Sequence, residues 1–220
     1  SEKITEDQRE YLSLIMKSLN RMNGLVAKIL EIKVLESSSL KTNYSKVDLK
    51  QVTEQVISAL KIQSDNKKIS IVPDLDESTA LIDKSLIVQI VDNLLSNAIK
   101  FTEKGGNIKV SISSTPERAL TGVTIKFSDT GIGIRKEKLP RIFDRFYQVK
   151  DLATQKPIGT GIGLALTKEL VNLLNGTIEV ASTPSISTTF SLQFLVTREA
   201  TNQDQDFTVF EPSIGRREQA

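Results

Sequence analysis

The chain has 220 residues, of which 39% are hydrophobic and 25% are charged, and its formal net charge is +2. This composition is ordinary for a globular protein. The basic residues are scattered rather than gathered into one stripe, which argues against binding to nucleic acid. Cysteine and histidine are both absent from the sequence. Their absence excludes disulfide bonds, a thiolate nucleophile, a Ser-His-Asp triad and zinc sites built from cysteine or histidine.

No membrane element is visible in the sequence. No apolar run approaches the ~18 residues that a membrane-spanning helix needs, and no signal peptide is visible in these residues. The sequence begins at Ser1 with a charged segment of helical pattern. We therefore expect the chain to be an internal part of a longer protein.

Residues 5–36 are predicted to form one long amphipathic helix. The sequence TEDQ at residues 5–8 fits an N-terminal capping box. The apolar side chains that follow step by three and four residues, as in a coiled coil or helical hairpin: Leu12, Ile15, Leu19, Met22, Val26 and Ile29. One helix alone cannot bury such a seam, so we expect a partner helix. The sequence SSSLKTNYSK at 37–46 breaks the pattern and is predicted to be a hinge.

From residue 47 onwards helical and strand patterns are mixed. Helices are predicted at residues 48–65, 84–101, 136–143 and 162–174. Strands are predicted at residues 69–72, 80–82, 107–113, 123–127, 177–180 and 188–196, with a polar loop at 114–121 and a hairpin between the last two strands. Because strands and helices are grouped rather than strictly alternating, the predicted fold class is α+β, a two-layer α/β sandwich with helices on one face of a mixed sheet. The predicted domains are the helical segment at 1–42, a globular domain at 43–197, and a polar tail or linker at 198–220.

Four short motifs follow one another in the globular domain: NLLSNAIKFT at 93–102, DTGIGI at 129–134, FDRFYQ at 143–148 and GTGIGLAL at 159–166. In the first motif Asn93, Asn97 and Lys100 share one face of the predicted helix. A carboxamide oxygen can complete the coordination shell of Mg²⁺, and a lysine can pair with phosphate oxygens. The opposite face is expected to pack against the sheet through Ile90, Leu94 and Ala98. The alternative for this helix alone is a solvated polar face.

The second and fourth motifs are glycine-rich turns. Asp129 ends a predicted strand and can accept a hydrogen bond from an exocyclic amine, while Gly131 and Gly133 allow close backbone approach. In the fourth motif three glycines directly precede a predicted helix: Gly159, Gly161 and Gly163. The N–H groups at the start of that helix attract anions. Each turn alone is also compatible with a plain connection that binds no ligand.

The third motif is aromatic. It places Phe143 and Phe146 beside Arg145, and the polar segment 149–158 follows and ends at the glycine turn. A short polar segment beside a phosphate-binding turn is a candidate lid. The alternative for the aromatic residues is packing into the core at a helix end, which we expect for at least one of them.

Together the four motifs resemble, in order and spacing, the N, G1, F and G2 boxes in the ATP-binding catalytic domain of sensor histidine kinases. The resemblance covers about residues 48–196, and residues 1–42 resemble the second helix of the dimerisation and phosphotransfer hairpin of such kinases. It implies the Bergerat fold, which these kinases share with DNA gyrase, mismatch-repair ATPases and heat-shock chaperone ATPases. It also implies transfer of the γ-phosphoryl group of Mg²⁺-bound ATP to a histidine and then to an aspartate of a response regulator receiver domain.

The resemblance implies a role for each motif residue. Asn97 would coordinate Mg²⁺, Asn93 would support the triphosphate site, and Lys100 would contact a phosphate. Asp129 would recognise the amino group of adenine. The other implied residues shape the adenine pocket, anchor the lid or its hinge, close over the phosphates or line the pocket from the last strand: Gly131, Gly133, Phe143, Phe146, Gly159, Thr160, Gly161, Gly163, Leu164 and Thr188.

The sequence departs from the family pattern in three places. Ser187 stands before Thr188 where family members usually have glycine, and Gln148 stands where many have an arginine that contacts phosphate. The phosphoacceptor histidine and the acidic residue after it are missing. In the family they belong to the first hairpin helix, which we expect upstream of Ser1.

The resemblance further implies a parent protein that dimerises through the hairpin and works in the cytoplasm, with or without an anchor in the inner membrane. Two other functions stay open. One is a hydrolytic ATPase or serine kinase on the same fold, although such relatives usually place a glutamate base where this chain has Asn93. The other is a non-enzymatic module in which nucleotide binding changes only the packing of the long helix.

Overall fold

The structure, a computed structural model, describes residues 5–36, 42–117, 120–148 and 160–197. The α-helices of these residues are α1 (Glu6–Glu36), α2 (Leu49–Ala59), α3 (Lys61–Asn66), α4 (Lys84–Phe101) and α5 (Gly163–Leu173), and a short 3₁₀ helix spans Lys136–Arg141. The strands are β1 (Tyr44–Asp48), β2 (Ser70–Leu75), β3 (Thr79–Asp83), β4 (Asn107–Glu117), β5 (Leu120–Asp129), β6 (Thr177–Thr183) and β7 (Ser187–Thr197).

Five strands form the main sheet in the order β2-β4-β5-β7-β6. The β2–β4 pair is parallel and the other pairs are antiparallel. Alternate side chains of the central strands are buried on one face, where α2, α4 and α5 contribute buried apolar residues. A sheet with one covered face shows this alternation. The predicted two-layer sandwich with a mixed sheet is confirmed.

Two predictions of local structure are wrong. Residues 44–46, predicted as part of a hinge, belong to β1, which pairs with β3 in a separate two-stranded sheet. Val47 anchors this strand in the core with 3% of its surface exposed. Within the predicted loop at 114–121, residues up to Glu117 and from Leu120 onwards are instead paired strands of the β4–β5 hairpin. Its serines and threonines fit a pleated strand that has one solvated face, so polarity did not indicate a loop there.

Asp83 fixes the start of α4. Its Oδ1 accepts hydrogen bonds from the backbone N–H groups of Ser85 (2.9 Å) and Leu86 (3.3 Å), and its Oδ2 accepts from the N–H of Asn43 (2.7 Å). Burial by itself raises the pKa of this carboxyl, but the hydrogen bonds outweigh burial and leave the pKa below its ordinary value. Asp83 therefore joins the segment that enters β1 to the beginning of α4.

Lys67 fixes the other end of the same helix. Its Nζ donates to the carbonyl oxygens of Ile99 (2.9 Å), Lys100 (2.8 Å) and Thr102 (2.9 Å). The last carbonyl groups of a helix have no intrahelical partner, and a cation there also interacts favourably with the negative end of the helix dipole. Partial burial lowers the pKa of Lys67. Both ends of α4 are thus fixed by side chains from outside the helix.

Replacing Lys67 by methionine is expected to reduce the free energy of unfolding by about 2 kcal/mol, because three carbonyl groups lose a charged donor while the apolar stem is kept. Urea denaturation at neutral pH measures the difference. Lys104→Met is the matched control, since Lys104 is exposed in the turn after α4. Equal stabilities of the two variants would contradict a capping role for Lys67.

Helix α1 begins with the predicted capping box, because the Thr5 N–H donates to Gln8 Oε1 (2.9 Å) and the Gln8 N–H donates to Thr5 Oγ1 (3.3 Å). The predicted seam is exposed at Leu12, Ile15, Leu19, Met22 and Val26, and the side chain of Ile29 lies outside the described residues. No helix in the described part of the chain is long and apolar enough to cross a membrane. The partner helix that would cover the seam stays a prediction.

Candidate functional site

A cavity of about 620 Å³ opens between α4, the ends of β5 and β7, and the start of α5. Three of the four sequence motifs contribute predicted site residues to its wall, and the aromatic motif contributes Tyr147 and Gln148. The predicted site residues that line the cavity are Asn93, Asn97, Lys100, Asp129, Gly133, Thr160, Gly161, Gly163, Leu164 and Thr188. Residues separated by almost a hundred positions in sequence therefore meet around one space.

Helix α4 supplies the polar floor of the cavity. Asn97 and Lys100 are half-buried and line it, and the ammonium group of Lys100 lies 4.8 Å from the centre of the Phe101 ring. On the opposite face Ile90, Leu94 and Ala98 are buried, as predicted from the helical period. The helix therefore holds a carboxamide and a cation at the cavity while its apolar face anchors it in the core.

Asn93 is engaged with α5. Its Nδ2 donates to the carbonyl oxygen of Gly163 (2.7 Å) and to the hydroxyl of Thr167. A Cβ on Gly163 would lie 2.6 Å from Asn93 Oδ1, so only glycine permits this approach. The contact holds the start of α5 against α4, and the implied supporting role of Asn93 at a triphosphate site stays a prediction.

Asp129 is the most perturbed acid among the described residues. It ends β5, is 5% exposed and lines the cavity. Burial raises its pKa from 3.8 to about 6, although the N–H of Gly131, which donates to Oδ1 (2.9 Å), acts in the opposite direction. A desolvated carboxylate at the wall of a cavity is a strong acceptor for a ligand N–H group.

The turn after Asp129 lies close to the backbone at the ends of α4 and β6. A Cβ on Gly131 would lie 2.5 Å from the carbonyl oxygen of Phe101, and one on Gly133 would overlap the backbone of Thr183. Gly133 also has a φ of +65°. Both glycines are therefore required by close backbone contact, and only Gly133 of the two lines the cavity.

Thr188 faces Asp129 across the β5–β7 ladder and is 5% exposed. Its hydroxyl lies 2.9 Å from the hydroxyl of Ser182 on β6. Ser182 also accepts from the N–H of Ile134 (2.8 Å) and donates to the carbonyl oxygen of Ser187 (2.8 Å). Ser182 was not predicted, because no motif contains it and its partners come from two separate segments, Ile134 and the start of β7.

The two aromatic residues of the third motif have different environments. Phe143 packs against the core and meets Phe190 edge to face, with ring centres 6.5 Å apart. Phe146 is 62% exposed, has a φ of +64°, and donates its N–H to the carbonyl oxygen of Gly161 (2.8 Å). Core packing is thus confirmed for one of the two. Their implied part in anchoring a lid stays a prediction, because the segment 149–158 lies outside the described residues.

The glycine turn lies at the start of α5. Gly161 has a φ of +70°, and a Cβ there would lie 2.6 Å from the backbone of Phe146. Gly163 and Leu164 form the first turn of α5 and line the cavity with Thr160. N–H groups in the first turn of a helix have no intrahelical partner, and the helix dipole is positive there. Gly159 lies outside the described residues.

Several lining residues carried no motif signal. Ile142 and Phe190 lie outside the motifs and, with Ile134 of the second motif, give the cavity apolar lining. Such a wall suits a flat ring that has a polar edge. Phe190 and Ile142 were recognisable as apolar positions in predicted elements, but their place in the cavity depends on which elements pack together.

The polar end of the cavity suits a cation that arrives with a ligand. Among the described residues no cluster of three or more acidic, histidine or cysteine side chains could hold a metal by itself. Gln148, however, lines the cavity, and its buried Oε1 has no hydrogen-bond partner among the described residues. Together with Asn97 this gives neutral oxygen atoms, which Mg²⁺ accepts when it keeps several waters and takes other ligands from phosphate.

Comparison with known proteins agrees with this geometry. Residues 82–198, more than half of the chain, match the family described as "Histidine kinase-, DNA gyrase B-, and HSP90-like ATPase". The sensor-like histidine kinase SenX3 of Mycobacterium tuberculosis is 29% identical over 202 residues, which are 91% of this chain and 48% of SenX3. The chain thus spans about half the length of this relative.

Two solved structures share the fold over 90% of this chain, each at 25% sequence identity. Full-length ShkA in complex with AMPPNP superposes with a TM-score of 0.77, and the match covers 41% of that chain. The histidine kinase AdeS of Acinetobacter baumannii superposes with a TM-score of 0.69 over 88% of its chain. The chain therefore belongs to the family of histidine kinase-, DNA gyrase B- and HSP90-like ATPases.

Proposed function

We propose that this chain is the ATP-binding catalytic part of a sensor histidine kinase. The observation that carries the proposal is a cavity lined by a buried carboxylate, an asparagine of α4 and the first turn of α5. These three groups match the three parts of a magnesium nucleotide: the base, the metal and the phosphates. The similarity to SenX3, AdeS and ShkA supports the same function.

We place the adenine ring at the apolar end of the cavity. Asp129 accepts a hydrogen bond from its amino group, and Ile134, Ile142 and Phe190 contact the faces of the ring. The turn at Gly131 and Gly133 closes this end. Burial of an aromatic ring between apolar side chains, with one polar contact at its edge, is the usual arrangement in nucleotide sites.

We place the phosphates at the other end, between Lys100 and the first turn of α5. The N–H groups near Gly163 and Leu164 attract phosphate oxygens, and Thr160 and Gly161 lie on the same side of the cavity. Gly159 would extend this turn. Asn97 would hold Mg²⁺, and when bound the ion neutralises charge that develops on the phosphate oxygens during transfer.

The proposed reaction needs positioning more than reactive side chains. Phosphoryl transfer is accelerated by alignment of the reactants and neutralisation of charge, which the cavity supplies through backbone N–H groups and Lys100. The 220 residues contain no histidine, so the acceptor imidazole must come from outside them. We further propose that the phosphoryl group then passes to an aspartate of a receiver domain, in the cytoplasm, and that α1 is the second helix of a dimerising hairpin.

The contacts of Asn93 distinguish this proposal from a hydrolytic ATPase or a serine kinase. An amide cannot take a proton from water or from a hydroxyl at neutral pH. The side chain of Asn93 is moreover engaged with Gly163 and Thr167. Transfer to a nucleophile brought from outside therefore fits better than hydrolysis. A module that binds nucleotide without catalysis would keep the same cavity, so only a transfer assay separates it from a kinase.

The test is phosphoryl transfer in trans. The chain is mixed with ATP, Mg²⁺ and a separate histidine-bearing hairpin from a related kinase, and acid-labile phosphate is measured on each component. We expect phosphate on the hairpin and none on the chain itself. The Asp129→Asn variant is the negative control, because we expect it not to bind nucleotide and therefore not to transfer phosphate. Nucleotide binding without any transfer, using hairpins from several relatives, would favour the non-enzymatic module.

A further inference from the structure

Ser182 lies outside all four motifs and does not line the cavity, but its hydroxyl contacts that of Thr188, which does. We propose that Ser182 is a specificity-determining residue, which directs the hydroxyl proton of Thr188 away from the cavity so that Thr188 and Asp129 both present hydrogen-bond acceptors to the base. The inference rests on the proposed nucleotide site and adds a selection rule to it. Purines with an amino group at the pocket are favoured, and purines with an oxo group at the same position are rejected.

The hydrogen bonds of Ser182 leave one arrangement of protons. Ser182 has a single hydroxyl proton, and the carbonyl oxygen of Ser187, 2.8 Å away, can only accept it. The Thr188 hydroxyl, 2.9 Å from Ser182 Oγ, must then donate its own proton to Ser182. The backbone N–H of Ile134 is a second donor to Ser182 Oγ. Both lone pairs of Ser182 and its proton are therefore used.

This arrangement determines what Thr188 offers to a ligand. With its proton on Ser182, the Thr188 oxygen has only lone pairs left for the cavity that it lines. Asp129 is its partner in the β5–β7 register, so the two side chains lie side by side on one face of the sheet. A carboxylate and a lone-pair oxygen next to each other satisfy the two hydrogens of an amino group and repel a carbonyl oxygen.

Loss of the Ser182 hydroxyl should relax this selection. In Ser182→Ala the proton of Thr188 has no acceptor on β6, so it can turn to the cavity or to Asp129. If the proton turns to the cavity, a 6-oxo base meets a donor instead of a lone pair. If it turns to Asp129, it occupies one acceptor position of the carboxylate. A mismatch of hydrogen-bond donors and acceptors in a buried site lowers affinity strongly. We therefore expect the preference for the 6-amino base over the 6-oxo base to change about 10-fold.

The experiment compares ADP with IDP by calorimetric titration in the presence of Mg²⁺. Their bases differ in the 6-amino or 6-oxo group and in N1, which carries a hydrogen only in the oxo base. The measured quantity is the ratio of the two dissociation constants. We expect the intact chain to prefer ADP and Ser182→Ala to reduce that preference about 10-fold. Ser182→Thr keeps a hydroxyl and is expected to keep the preference.

Ser128→Ala is the matched control. Ser128 and Thr189 form a similar hydroxyl pair at 2.9 Å between neighbouring strands, β5 and β7, but neither residue lines the cavity. This variant should leave the ratio unchanged. If Ser182→Ala weakens ADP and IDP equally, Ser182 is merely structural and the proposal is wrong, while the proposed nucleotide site stands.

Thr188→Val keeps the proposal testable if Ser182→Ala does not fold. It removes the lone pairs that Ser182 is inferred to orient, so the preference for ADP must fall by a similar factor. Where both variants fold, the double variant should show no further loss, because the two residues act on one interaction. An unchanged ratio in Thr188→Val would overturn the proposal. An intact chain that binds neither nucleotide would contradict the proposed function as well.

Discussion

Replacing Asp129 by asparagine is expected to abolish nucleotide binding and, at the same time, to make the folded protein more stable at neutral pH. The amide of asparagine presents a donor where an amino group needs an acceptor, so we expect the affinity for ATP to fall at least 100-fold. Its Oδ1 can still accept the N–H of Gly131, so the turn keeps its hydrogen bond. Calorimetric titration with an ATP analogue measures the first effect.

The gain in stability follows from the pKa of Asp129. The folded protein raises this pKa from 3.8 to about 6, so above pH 6 folding has to bury a charge that the unfolded chain keeps in water. Between these values the folded state binds more protons than the unfolded state, and stability therefore falls as the pH rises. At 1.36 kcal/mol for each pKa unit, the upper limit is about 3 kcal/mol, and we expect about 2 kcal/mol.

Urea denaturation at pH 7.5 and at the lowest pH where folding is reversible tests this gain. Asp129→Asn should be more stable than the intact chain at pH 7.5, and the difference should disappear as the pH falls through 6 towards 4. Asp76→Asn is the control, because Asp76 is exposed and does not line the cavity. A variant that is less stable at pH 7.5 would show that Asp129 serves the fold rather than the ligand.

Replacing Asn97 by alanine is expected to remove the dependence of nucleotide binding on Mg²⁺. We expect Mg²⁺ to strengthen binding by about 10- to 100-fold in the intact chain, since the ion couples the protein to the phosphates. Without the carboxamide oxygen this gain should be lost, while binding without the metal changes little. Calorimetric titration with an ATP analogue, with and without Mg²⁺, measures both affinities.

The Asn97→Asp variant tests the same role of residue 97, and here the dependence of binding on Mg²⁺ is expected to increase. A carboxylate can still bind Mg²⁺ but repels phosphate, so binding should become strictly dependent on the metal. Asp92→Ala is the control for an altered α4, because Asp92 is exposed on that helix. If Asn97→Ala keeps its full response to Mg²⁺, the metal is held elsewhere. Gln148, whose Oε1 has no partner in the described part of the chain, then becomes the next side chain to replace.

The sequence predicted best what depends on local pattern. The helical period predicted the bounds of α4, residues 84–101, and ten of the predicted site residues line the cavity, whereas Gly131, Phe143 and Phe146 do not. The family and the fold are confirmed by the comparisons and by the mixed sheet. The individual roles of the site residues stay predictions, because they concern ligands.

What the sequence did not predict depends on contacts between distant segments. Strand β1 is short and polar, and it exists because β3 pairs with it. Lys67 caps α4 from a position more than thirty residues earlier in the chain. Ser182 becomes informative only when the backbone of Ile134 and the hydroxyl of Thr188 are brought to it. Neither hydrophobic periodicity nor a sequence motif indicates such contacts, because each contact joins segments that are distant in the sequence.

The measurement that tests the central claim most directly is calorimetric titration of the intact chain with a non-hydrolysable ATP analogue, with and without Mg²⁺. The proposed site predicts binding of one analogue per chain, strengthened by Mg²⁺ and lost in Asp129→Asn. Absence of binding to a folded chain, or binding that Asp129→Asn leaves unchanged, would contradict the assignment of the cavity as a magnesium-nucleotide site.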